Sequence, residues 1–240
     1  MNKKILIPLP NNDFDVTEVS VPWKLFKQKG YEIIFATEQG NRAYCDPKLI
    51  IGVIFGQLGA DKEAIGYYRE MEQSNEFLHP IKYTDIKSAD YDLLHLPGGH
   101  APGMRQYLEN KELQQKVVEF FKLNKPVGSI CHGAVVLARS IDPATGKSVV
   151  YNYKLTGLVK SLERLAYYIT FWKLGKYYRT YPAYVEDEVK SALANPANFQ
   201  HGEGNYKPYV CVDRNLITSR WPKDAYVYAE KLIQTLEMVS

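Results

Sequence analysis

Within the first 37 residues, an apolar run ending at proline, an amphipathic stretch ending at glycine and a second apolar run follow one another. No other feature constrains the fold as strongly. Residues 3–8 (KKILIP) and 31–37 (YEIIFAT) read as strands, the second carrying β-branched residues just after a glycine. Between them, EVSVPWKLFKQKG places Val19, Val21, Leu25 and Phe26 along one side of a helix that stops at Gly30. Strand, helix and strand within about 35 residues make a right-handed βαβ unit, which requires a parallel sheet.

The rhythm breaks between about residues 40 and 90, read as an insertion. There LIIGVIFGQLGADKEAIGYYREMEQ has helical spacing and a proline-containing extended piece follows. It resumes with YDLLHLP (91–97), a buried strand running into the loop GGHAPG, whose glycines permit backbone conformations that other residues resist. RQYLENKELQQKVVEFFKLNK is expected to form one helix, PVGSI (126–130) the next strand, and HGAVVLARS a helix apolar nearly all round and hence buried. YVCVD and NLITS read as a pair of short strands, followed by a helix through DAYVYAEKLIQTLE behind Pro222. No internal repeat, low-complexity tract or linker interrupts the chain, so residues 1–240 are expected to form one domain.

Composition narrows the class of function. An apolar content of 45% supplies a core, and the net charge of +3 is too small to imply a nucleic-acid or membrane partner. Residues 151–184 interleave eight tyrosines with lysine and arginine, a mixture that can stack on single-stranded nucleic acid; a half-buried lid or subunit contact is the preferred reading. The opening MNKKILIPLPNND starts basic like a secretory leader, but its apolar part is short and broken by Pro8 and Pro10, so a cytoplasmic location is expected. Cys45, Cys131 and Cys211 are odd in number and widely spaced, which argues against a disulfide framework or a structural zinc site.

The chemistry concentrates at GSICHGA (128–134). A strand delivers Cys131 to a sharp turn opening a helix, with the small residues Ser129 and Gly133 on either side, the arrangement of a nucleophile elbow with cysteine in place of serine. The positive end of the helix dipole is expected to favour the thiolate there. LPGGHAPG also follows a strand, so both loops lie at the carboxyl edge of an open parallel sheet, where ligands bind. Gly98 and Gly99 could turn N–H groups toward an oxyanion, and His100 either borders the pocket or bonds to backbone. His79, His95 and His201 are scattered without paired ligand spacing, so no metal is assigned. Cys45 and Cys211 read as packing residues.

YDLLHLPGGHAPGM, a helix, and KPVGSICHGAVVLA together resemble the ThiJ/PfpI superfamily, which shares the class I glutamine amidotransferase-like fold. DVTEVSVPW, TYPAYVEDEV and NLITSRWPKDA extend the resemblance over most of the chain. It implies an α/β, flavodoxin-like three-layer sandwich, usually dimeric, with a reactive elbow cysteine at Cys131 and a following histidine at His132. It also implies a glutamate against the sulfur, matched by Glu18, and a third acid orienting the histidine, for which Glu163 is the best match and Glu186 and Asp187 are rivals. Because neighbours on a turn point apart, Glu18 rather than His132 is expected to contact Cys131.

The implied activity is that of a cysteine-dependent enzyme acting on a small carbonyl compound without glutathione or added cofactor, the oxyanion held by the N–H groups of Gly99 and His132. The same groups would serve an amidase or peptidase. A stress protein, either a holdase or a cysteine redox sensor, is a third reading, for which the insertion is the expected apolar patch.

Overall fold

In the computed structural model, which describes residues 3–238, the first strand β1 (Lys4–Pro8) lies in the middle of a seven-stranded sheet. It is flanked by β2 (Glu32–Thr37) on one side and β4 (Leu93–Leu96) on the other. The full order is β3-β2-β1-β4-β5-β9-β8, with β3 Ile81–Lys82, β5 Val127–Ile130, β8 Val210–Asp213 and β9 Leu216–Ser219. All pairings are parallel except the β8–β9 hairpin at one edge. A separate two-stranded piece, β6 (Ile141–Asp142) with β7 (Lys147–Ser148), is antiparallel.

The chain runs outward from β1 in one direction and returns through β4 to run outward in the other. Right-handed crossovers then put the two sets of helices on opposite faces. Helix α1 (Val16–Gln28) packs with α3 (Lys62–Met71) and α10 (Ala225–Met238), while α7 (Gly133–Arg139) packs with α5 (Met104–Glu109), α6 (Lys111–Lys122) and α9 (Val185–Ser191). The fold is therefore the expected flavodoxin-like α/β sandwich. Strands β4, β5 and β9 are buried along their whole length, as a sheet covered on both faces demands.

Two expected helices break. The stretch from Leu49 to Gln73 divides into α2 (Pro47–Ile51) and α3, because Gly52 and Gly56 adopt positive φ; a Cβ on Gly52 would meet the Gly56 backbone at 2.3 Å. The stretch from Arg105 to Lys125 divides at Asn110, whose side chain accepts from the Leu113 N–H at 2.9 Å and caps α6. With α3, α4 (Asn75–Leu78) and the edge strand β3, the 40–90 segment supplies core residues Ala64, Met71, Phe77 and Tyr83, so it is woven into the sheet and its covering layer. The tyrosine-rich segment forms α8 (Lys160–Leu174) and the turns after it. No helix among the described residues is long and apolar enough to cross a membrane. The two residues at each end of the expected 1–240 unit lie outside the described residues.

Candidate active site

Between β5 and α7 the chain turns on a single residue. Cys131 has φ +57°, in the left-handed region that side chains seldom occupy. Its N–H donates to the Ser219 carbonyl (3.1 Å), and its carbonyl accepts from the N–H groups of Leu158 (3.3 Å) and Ala134 (3.4 Å). These bonds hold the strained turn. Gly133 follows because a Cβ there would stand 2.2 Å from the Leu96 carbonyl oxygen on the neighbouring strand.

Loops after β1 and β4 close on the sulfur, at the point where the strand order reverses. Asp15 caps α1, accepting from the N–H groups of Thr17 (2.8 Å) and Glu18 (3.1 Å), and so fixes Glu18 in the first turn. Glu18 Oε2 accepts from the Gly98 N–H at 2.9 Å. Oε1 has no hydrogen-bond partner among the described residues, and the carboxyl and the Cys131 thiol influence each other's titration. A Cβ on Gly98 would lie 2.6 Å from the His132 nitrogen and 2.9 Å from Cys131 Cβ. Gly98 is thus a spacer and a donor to Glu18, which leaves its N–H unavailable for an oxyanion. The Gly99 N–H has no acceptor among the described residues.

The ring of His132 does reach the sulfur, contrary to the expectation for adjacent residues: Nδ1 lies 3.6 Å from Cys131 Sγ. His100 Nε2 lies at the same distance of 3.6 Å from it. Thr180 settles the His132 tautomer. Its hydroxyl donates to the His100 carbonyl (2.7 Å), so toward His132 Nε2, 3.2 Å away, it accepts. His132 therefore carries its proton on Nε2 and turns the Nδ1 lone pair to the sulfur.

No acid fills the orienting position. Glu163 accepts from Arg179 Nη1 (3.0 Å) and the Val185 N–H (2.9 Å), bracing the chain around Thr180 without touching His132. Glu186 bonds to the Lys160 N–H, Lys190 and His201, and Asp187 pairs with Lys160 at the surface. His95, among the scattered histidines of the sequence, donates from Nε2 to the Glu18 carbonyl (2.9 Å) and accepts at Nδ1 from the Tyr228 hydroxyl (2.8 Å). Thr180 opens TYPAYVEDEV and His95 lies in YDLLHLPGGHAPGM, yet neither stretch marks the residue as functional; His95 at least stands out as a histidine inside an apolar strand.

Burial dominates the electrostatics. It pushes the Glu18 carboxyl well above the usual carboxylate range, with the Asp15 charge adding to it. It also drives the Cys131 thiol up, and a charged Glu18 drives it further. The expected lowering by the helix start is outweighed, although the His132 N–H acts in that direction. Carboxyl and thiol therefore share protons and titrate as a pair. Desolvation depresses His100 to about 4 and His132 well below its ordinary value, so both rings are neutral near pH 7.

Cys131 has no exposed surface, and His100 separates it from a cavity of about 220 Å³. Leu49, Val53, Leu158, Leu162 and Ile169 line that cavity, with Asp15 and Asp46 at its polar side. Tyr177 and Tyr178 bond to Asp46 at 3.2 and 2.8 Å, joining the tyrosine-rich segment to the cap of α2. Among the described residues, one group of His, Cys, Asp or Glu side chains is close enough to share a metal ion. The donor atoms of His100, Cys131 and His132 all lie within 4.8 Å of one another.

A protein-family model described as ThiJ/PfpI family-like matches residues 9–229. An uncharacterized protein of Schizosaccharomyces pombe is 28% identical over 185 residues, 72% of this chain and 69% of that protein. Glyoxalase 3 of Candida albicans is 26% identical over 223 residues, 92% of this chain and 89% of that protein. The crystal structure of glyoxalase III from Candida albicans superposes with a TM-score of 0.73 at 22% identity, covering 97% of this chain and 96% of that one.

Proposed function

Since this chain belongs to the ThiJ/PfpI-like family, we propose that it is a cysteine-dependent, glutathione-independent glyoxalase converting a small 2-oxoaldehyde into the corresponding 2-hydroxy acid. The observation that carries this reading is the sulfur itself. Cys131 Sγ stands 3.6 Å from the lone-pair nitrogen of His132, and the Glu18 carboxyl is close enough to couple to its titration. The name of the Candida albicans relative supports the substrate class, and the small apolar cavity beside His100 suits a compact carbonyl compound.

Substrate enters from that cavity past His100. Cys131 attacks the aldehyde carbon while its proton passes to Glu18, whose affinity for protons burial raises above that of an ordinary carboxylate. The N–H groups of Gly99 and His132 hold the oxygen of the resulting hemithioacetal. His132 Nδ1 takes the proton from the former aldehyde carbon and returns it to the neighbouring carbon, while Glu18 exchanges protons with the two oxygens. This yields a 2-hydroxy thioester. Water cleaves it, releasing the hydroxy acid and the thiol, so the net reaction adds one water and needs no oxidant. The neutral, Thr180-held His132 suits such a transfer, because no carboxylate traps it as imidazolium.

The test is lactate formation from methylglyoxal without glutathione, for the native chain and for Cys131→Ala. The expected result is turnover that falls at least about 10³-fold in the variant. Equal lactate from both proteins, or no turnover of any 2-oxoaldehyde, overturns the reading. A homodimer is supported by the exposed apolar side chains of α8 and the 51–58 loop. Elution at about twice 27.5 kDa is expected, and elution at 27.5 kDa removes the dimer.

A further inference from the structure

We infer that Cys131, His132 and His100 form a binding site for a thiophilic divalent cation of the zinc type, and that the bound ion takes the reactive sulfur out of use. The donor set comes first. A thiolate and two imidazoles are the ligands that zinc prefers, and among the described residues they are gathered in this way only here.

Distance comes next. A tetrahedral zinc with Zn–S about 2.3 Å and Zn–N about 2.0–2.1 Å separates sulfur from nitrogen by about 3.6 Å. Both imidazole nitrogens stand 3.6 Å from Cys131 Sγ. The two nitrogens, within 4.8 Å of each other, need only close by a side-chain rotation.

Orientation is already set on one side. Thr180 holds the His132 proton on Nε2, so Nδ1 offers its lone pair without any change of tautomer. His100 Nδ1 makes no bond to a protein group among the described residues, so that proton can sit there while Nε2 ligates. Charge also suits a cation, because binding displaces the thiol proton and leaves a thiolate on the ion. The guanidinium groups nearest His132 are each paired with a carboxylate, Arg139 with Glu188 (2.5 Å) and Arg179 with Glu163 (3.0 Å). His100 also lines the cavity, so the three ligands stand next to a space from which water can supply a fourth.

This inference concerns binding, so it stands apart from the proposed turnover. The metal-free full-length chain is titrated with zinc alone by equilibrium dialysis, and with cobalt(II) as the coloured analogue. One equivalent of zinc per chain is expected, with cobalt giving a thiolate-to-metal charge-transfer band in the near ultraviolet and strong tetrahedral visible bands. His100→Asn and His132→Asn should each weaken zinc by at least about 100-fold, beyond the roughly 10–100-fold lost when an outer partner of a ligand is removed. His201→Asn, which alters a surface histidine bonded to Glu186, should leave zinc binding unchanged.

A cobalt spectrum without the thiolate band overturns the inference, and this reading on the native chain stands whether or not a variant folds. Unweakened binding in both site variants, or loss of binding in His201→Asn, overturns it as well. Absent lactate formation beside a thiolate-bearing cobalt spectrum defeats the glyoxalase reading and leaves the cation site in place. Lactate formation that stoichiometric zinc fails to suppress removes the inhibitory role.

Discussion

The two sides of the His100 ring are built on opposite principles. On the sulfur side, nearly every polar group is pinned by a named partner: Glu18 by Gly98, the Glu18 backbone by Asp15 and His95, and His132 by Thr180. On the cavity side the walls are leucine, valine and isoleucine. Two segments that supply them, α8 and the 51–58 loop, also carry an outer rim of exposed rings, Phe55 78% and Trp172 59% exposed and 6.0 Å apart. Reactive geometry is carried by backbone and hydrogen bonds that tolerate no added atom, whereas the rim is made of side chains that water already surrounds. The first should be brittle to substitution and the second permissive.

Gly98→Ala tests the brittle side most severely. The new methyl would sit 2.6 Å from the His132 backbone nitrogen, so the elbow must move. A loss of about 2–4 kcal/mol in urea denaturation and at least about 10³-fold in lactate formation is expected. Near-native values would show that the turn is softer than its contacts suggest.

Thr180→Val conserves volume but removes the acceptor for His132 Nε2–H and the donor to the His100 carbonyl. The ring can then take the wrong tautomer, and kcat should fall about 10–100-fold with KM little changed. As a positioning residue, Thr180 should also show rescue by Thr180→Ser; failure of that rescue would reduce its role to packing.

Glu163 connects stability to pH. Burial outweighs its Arg179 partner and raises it from 4.5 to about 7. The folded state therefore binds this proton more tightly than the unfolded one, and the stability it contributes is fully present below about 4.5 and lost as pH rises through about 7. In urea titrations across that window, the native chain should lose stability relative to Glu163→Gln as pH increases. Parallel pH profiles would contradict this assignment.

The smallest effect is expected at the permissive rim. Trp172→Ala should change stability by no more than about 0.5 kcal/mol and leave kcat unaltered, since the side chain is 59% exposed and its Nε1–H bonds only within its own helix. A collapse of activity there would erase the contrast between the two sides.

The same contrast explains what the sequence made readable. Cys131, Gly98 and His100 come close behind buried strands, so local spacing placed them at one sheet edge, whereas Glu18, in the first turn of α1, was legible through the family resemblance. Thr180 reaches His132 across 48 residues, and although it opens the TYPAYVEDEV stretch, a threonine carries no chemical label. The family resemblance points to Glu163 as the acid that orients the histidine, yet burial beside Arg179 puts it to structural use. The broken helices were misread for a related reason. Apolar spacing continues across Gly52, Gly56 and Asn110, whereas backbone geometry there does not.

The span from Glu18 to Thr180 has a consequence for the life of the chain before it is complete. The groups that surround Cys131 come from loops after β1, β4 and β5 and from a segment beyond α8, so most of the polypeptide must have left the ribosome before they can meet. Such distant contacts form late in folding. Until then Cys131 is an ordinary cysteine thiol, no more inclined than Cys45 or Cys211 to attack the aldehydes around it. Maturation of the fold is thus also the step that arms the sulfur.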